Sequence, residues 1–255
     1  MKTFLNQKAS VERLPLFDNL RGLIIFLTLI MTLLTKFEFT PKWIPHANEL
    51  NELHLADIGV VMFCFILSVM YSYGYIKKSK TLGKAAAKRQ LIIRGLALVG
   101  IGFTVNMSGL FLDSQTMFGQ MITSWEIIVT FGFINVFGVV FLDVVPEIRF
   151  FIGFALVIIH QILLNTGENY TRAILSNDQG GVFGLIPYLG LLLMACSVGE
   201  FYFRNKRKFY AFSASVIALG ITLFVAEAVA ESETAQKMLF VSKFQITLSF
   251  VMISF

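Results

Sequence analysis

The chain has 255 residues, 56% of them hydrophobic and 15% charged, with a net charge of +5 and a mean hydropathy of +0.74. Charged residues make up about a quarter of an ordinary globular chain, so this composition excludes a soluble enzyme or soluble binding domain. The basic residues sit in short clusters between apolar blocks, which also argues against nucleic acid as a partner and for the lipid bilayer.

Taken from the start, MKTFLNQKASVERLPLFDNLRG is polar for too long to be a cleavable signal. Apolar blocks of roughly 20 residues follow, the length a helix needs to cross the hydrocarbon core. Eight such spans are expected, at about 20–39, 57–76, 91–112, 126–145, 149–165, 182–203, 209–228 and 239–255. The fold class is therefore all-α: a polytopic integral membrane helical bundle forming one domain over 1–255.

The segments between spans alternate in charge. The N-terminus, 77-KKSKTLGKAAAKRQ-90, the 146-PEIR-149 turn and 204-RNKRK-208 carry lysine and arginine. The segments 40–56, 113–125, 166–181 and 229–238 are acidic or neutral. Lysine and arginine bias places the first set, with the N-terminus, in the cytoplasm. The last block ends at Phe255 inside a hydrophobic run, and a helix ending in lipid leaves its last carbonyls without partners. Further C-terminal spans are expected.

Polar groups in or beside spans usually face a cavity or a partner. Asp18 and Arg21, three residues apart, share a helix face and can pair. They are either an ordinary ion pair at the membrane boundary or the polar wall of a cavity in which Arg21 meets a phosphate. Arg94 admits the same two readings. The segment 46-HANELNELHLADIG-59 holds two histidines and, at the start of the second span, Asp57. A carboxylate on one ring nitrogen fixes the tautomer and leaves the other nitrogen as base or nucleophile. Spacing alone does not choose between His46 and His54.

His160 and Gln161 lie deep in the fifth span and are expected to face the bundle interior in a hydrogen bond across helices. Glu126, Glu227 and Glu231 fall at the outer interface. Cys64 and Cys196 fall inside apolar blocks and read as small buried hydrophobes. The glycines of 177-NDQGGVFGLIPYLG-190 suit a chain re-entering the bilayer. The histidines do not sit at ligand spacing with further donors, so no metal site is expected.

Four stretches, in order, resemble the heparan-α-glucosaminide N-acetyltransferase family of transmembrane acyltransferases and its bacterial members. They are 18-DNLRGLIIFL-27, 46-HANELNELHLADIGVVMFCFILSV-69, 180-GGVFGLIPYLGLLLMACSVG-199 and 242-SKFQITLSFVMISF-255. The chain departs from that family's pattern at Thr32, at Val60 and Val61, and between His46 and Asp57. The resemblance implies acetyl-CoA as co-substrate, a catalytic pair of His46 and Asp57, and a bacterial plasma-membrane setting. It selects His46 over His54 as base or acyl carrier.

The expected function is transfer of an acetyl or other acyl group from cytoplasmic acetyl-CoA to an amine or hydroxyl of a glycan or glycolipid at the outer face. Arg21, Asp18, Arg94 and the 77–90 loop would engage the CoA at the cytoplasmic mouth. A transporter or flippase using the same cavity is the alternative, and a membrane scaffold is a third reading. Oligomeric state, including a homodimer, stays open.

Overall fold

Inside a bilayer a long apolar run satisfies its backbone polar groups only as helix, and helix is what this chain forms. The computed structural model describes residues 15–34, 37, 55–110, 127–175, 180–204, 207, 209–210 and 214. Among the described residues there is no strand. The helices are α1 (Pro15–Leu34), α2 (Leu55–Leu82), α3 (Lys84–Leu110), α4 (Ile127–Gly138), α5 (Pro146–Thr166), the short α6 (Glu168–Leu175) and α7 (Gly181–Arg204). A 3-10 turn at Val139–Phe141 extends α4.

Each of the first six expected spans overlaps a helix, long in every case but the fourth, where α4 has 12 residues. The seventh and eighth fall outside the described residues, apart from 209–210 and 214. By length and composition α5 and α7 can cross a membrane, and α4 with its 3-10 turn is apolar but shorter.

Two expected loops are helix instead. The 77–90 segment is the end of α2 and the start of α3, broken only at Gly83, whose φ of +83° suits glycine. The alanines and lysines there are good helix formers, and their charge says which side they lie on rather than whether they are helical. The 146-PEIR-149 turn is the first turn of α5. Pro146 sits at its start, where a fixed φ and a missing N–H cost nothing. Likewise the glycine-rich segment becomes α7 from Gly181 onward.

α7 is the central helix. It packs against α2, α4, α5 and α6, and 72% of its apolar window is buried, against 39% for α5. Along α5, Arg149, Phe150, Gly153, Val157, His160, Gln161 and Leu164 face inward. Ile148, Phe151, Ile159 and Ile162 form the opposite, exposed stripe. α1 likewise exposes Leu23, Phe26, Leu29 and Leu33. Exposed apolar stripes of this size would be a liability in water, and they suit a lipid-facing surface.

Lipid tails are as apolar as leucine, so helices associate through close backbone approach rather than a hydrophobic gradient. α5 and α7 meet at a reciprocal glycine pair. A Cβ on Gly153 would stand 2.6 Å from the Gly190 carbonyl oxygen, and one on Gly190 would stand 2.7 Å from that of Gly153. Gly95 of α3 and Gly132 of α4 form a similar contact.

Buried hydroxyls are satisfied by carbonyls. Ser68 donates to the Cys64 carbonyl at 2.7 Å, and Ser197 to that of Leu193 at 2.8 Å. Both cysteines are buried and free, as expected, and Cys196 donates across helices to the Ser68 carbonyl at 3.1 Å.

Gly190→Val is expected to destabilise the bundle by about 1–3 kcal/mol through overpacking against the Gly153 backbone, read as a lowered melting temperature in detergent. Gly74→Val, where a Cβ meets nothing within 4 Å, should change it far less.

Candidate functional site

One end of the bundle gathers charge. The end of α2 and the start of α3 meet Asp143 in the turn before α5 through a hydrogen bond and two ion pairs, and a further ion pair joins the start of α5 to the end of α7. These are three of the basic segments that charge bias assigns to the cytoplasm.

At the α5–α7 contact lies Arg149, 1% exposed, with Glu200 opposite at 4%. Arg149 Nη2 is 2.6 Å from Glu200 Oε2. Three further hydrogen bonds hold it: Nε reaches Ser197 Oγ at 3.1 Å, Nη2 the Cys196 carbonyl at 3.3 Å and Nη1 the Leu142 carbonyl at 3.4 Å. Glu200 Oε1 also pairs with the exposed Arg204, one turn on, at 2.5 Å. Helical periodicity makes this possible, because 196, 197, 200 and 204 share one face of α7.

The sequence reading missed this group, taking Arg149 for a loop cation and passing over Glu200. The signal was an acid inside the apolar block 182–203, which requires a partner.

Beside it, Asp143 follows the 3-10 turn and is met from both sides. Tyr75 of α2 donates to its Oδ1 at 2.5 Å. From α3, Lys88 lies 2.6 Å from Oδ2 and Lys84 3.3 Å from Oδ1. The Lys88 hydrogen bond, with that of Tyr75 next, holds the Asp143 carboxyl well below the usual carboxylate range.

The residues expected to bind CoA are placed differently from one another. Arg21, on α1, is half-buried, and its Nε is sealed from solvent without a hydrogen-bond partner. Asp18 is exposed, and among the described residues no ion pair joins it to Arg21. Arg94 is exposed on α3.

A residue not singled out from the sequence, Lys78, stands near Arg94. Its stem is half-buried, and its Nζ is buried without a hydrogen-bond partner. Burial first, and the Arg94 charge second, push its ammonium below the ordinary lysine value. Such orphaned cationic atoms fit a ligand bearing phosphates, as CoA does.

Asp57 lies in the first turn of α2. Its side chain, His46, His54, Glu126, Glu227 and Glu231 lie outside the described residues. His160 is fully buried, as expected of an interior residue, and its Nδ1 shares a 2.6 Å hydrogen bond with the Tyr170 hydroxyl of α6. Tyr170 packs edge-on against Phe183 of α7, and burial pushes its hydroxyl up to about 12. This contact ties α6 down over the α5–α7 pair.

Among known proteins, the family model described as GWT1 matches residues 2–255, and the chain belongs to that family of GPI-inositol acyltransferase-like membrane proteins. No curated protein and no solved structure matches it. The expected membership of the heparan-α-glucosaminide N-acetyltransferase family is therefore wrong. Two of the four stretches that suggested it are two charged residues at a helix entry (18–27) and a glycine-containing helix contact (180–199). Such features report the membrane environment more than lineage, and the departures at Thr32, Val60 and Val61 were the contrary signal. Acyl transfer at a membrane stands as the activity associated with the family.

Two outcomes test the charged end. Arg149→Met should cost up to about 3–5 kcal/mol by leaving the buried Glu200 with only the exposed, screened Arg204 as its partner. The double variant Arg149→Met with Glu200→Leu should recover most of that loss, measured as melting temperature. Asp143 has a depressed folded pKa, so its stabilisation is fully present above the unfolded value of about 4 and is lost as pH falls below it. Asp143→Asn should be less stable at neutral pH and should flatten the decline of melting temperature below about pH 4.

Proposed function

We propose that this member of the GWT1 family transfers an acyl group from an acyl-CoA to a hydroxyl of an inositol-containing glycolipid in its membrane. The observation that carries this reading is the family match across residues 2–255. The cations at the basic end of the bundle support the donor assignment. In this reading CoA lies at the cytoplasmic mouth, with Arg21 and Arg94 toward its phosphates and Asp18 at the rim. The membrane is the plasma membrane, and acetyl-CoA is the first donor to try.

The chemistry needs a base for the acceptor hydroxyl. His46 fills that role in this reading, with Asp57 holding the imidazole in the required tautomer. The choice of His46 over His54 had rested on the resemblance now corrected, so the two must be separated by experiment. The hydroxyl oxygen forms a bond to the thioester carbonyl carbon as the C–S bond breaks. The hydroxyl proton passes through the imidazole to the departing CoA thiolate. An acyl-imidazole at the same residue is the covalent variant of this route.

Purified protein with radiolabelled acyl-CoA and glycolipid acceptor is the test. His46→Ala should lower turnover by about 10²–10⁴-fold, while His54→Ala should retain it. Wild-type turnover in His46→Ala would remove the assigned role, and the reverse pattern would move it to His54.

A further inference from the structure

We propose that Lys78 and Arg94, on the two arms of the α2–α3 hairpin, form a phosphate-binding pair. The hairpin carries seven basic residues between 77 and 94, namely Lys77, Lys78, Lys80, Lys84, Lys88, Arg89 and Arg94. Among the described residues the acid that pairs with Lys84 and Lys88 is Asp143, and both of its oxygens are taken by them. No described acid forms an ion pair with Lys78, Arg94 or Arg21. Lys78 Nζ and Arg21 Nε are buried without a hydrogen-bond partner.

A buried cation without a partner is costly, and a second cation beside it raises the cost. Protein interiors keep such groups where a ligand completes them. Two neighbouring cations suit a group of charge near −2 with several acceptor oxygens, which is a phosphate. Arginine supplies the planar fork and lysine the point charge. The phosphate has two chemical sources, CoA or the headgroup of an anionic phospholipid. Only the naming of CoA rests on the acyl-transfer reading, and binding is measured here without turnover.

The test uses the full chain in phosphatidylcholine nanodiscs, titrated with CoA and with 3′-dephospho-CoA by calorimetry. A parallel arm measures melting in nanodiscs containing phosphatidylglycerol, without CoA. Lys78→Met should weaken CoA binding about ten- to a hundredfold, the loss of one charged hydrogen bond, and Lys78→Arg should restore it. Without ligand, Lys78→Met should melt no lower than wild type, because it removes an uncompensated buried charge. A merely structural lysine would give the opposite shift.

Arg94→Gln, at an exposed position, should weaken binding without threatening the fold. If the variants leave CoA binding intact but lose the stabilisation by phosphatidylglycerol, the pair stands and its phosphate is a lipid's. If Lys78→Met and Arg94→Gln change neither measurement, or if wild type responds to neither ligand, the proposal is overturned. CoA binding without acyl transfer would instead overturn the function while leaving the pair.

Discussion

A carboxylate inside an apolar helix must have a partner, and in this protein that requirement fixes how the central helices meet. Glu200 lies near the end of α7, which packs against α2, α4, α5 and α6, and Arg149 answers it from the first turn of α5. Arg149 also takes up Ser197 and the carbonyls of Cys196 and Leu142. One guanidinium thereby fixes the rotation of α5 against α7 and the position of the turn that follows α4. In a membrane, apolar packing alone is a weak guide to register, because lipid competes for the same surfaces. A buried pair admits few alternatives, and the Gly153–Gly190 contact on the same interface lets the backbones come close enough to form it.

The two ends of the bundle differ in character. At one, Asp143 clamps α2 to α3 beside Leu142, whose carbonyl accepts from Arg149, so these charges are locked in pairs. On the same hairpin no described acid pairs with Lys78 or Arg94. At the other end of α5, the His160–Tyr170 hydrogen bond holds the short α6 against α7. The neutralised cations brace the fold, and the remaining ones give it a positive face to offer a substrate.

Much of the fold was legible in the sequence because bilayer thickness dictates the length of apolar runs. Five long helices and the shorter α4 fall where the first six apolar blocks lie. Their ends were less legible, since the chain stays helical as it leaves the apolar zone and Lys77 to Gln90 reads as loop by charge alone. Pro146 hid a helix start because proline looks like a turn until its place at the first helical position is seen. Arg149 and Glu200 are 51 residues apart, and no local pattern links them. Lys78 was hidden among similar lysines, and only packing separates it from Lys80, which is exposed. Short motifs led to the wrong acyltransferase family because they describe helix entries and helix contacts.

The account as a whole treats this bundle as the frame of an acyl-transfer reaction between a CoA thioester and a glycolipid hydroxyl. The most direct measurement is product analysis. Wild-type protein in nanodiscs is given acyl-CoA and an inositol glycolipid, with mass spectrometry of the lipid and assay of free CoA thiol. The account predicts a glycolipid heavier by one acyl group, esterified on the inositol, with one thiol released per ester formed. Glycolipid recovered unchanged with the thioester intact would contradict it.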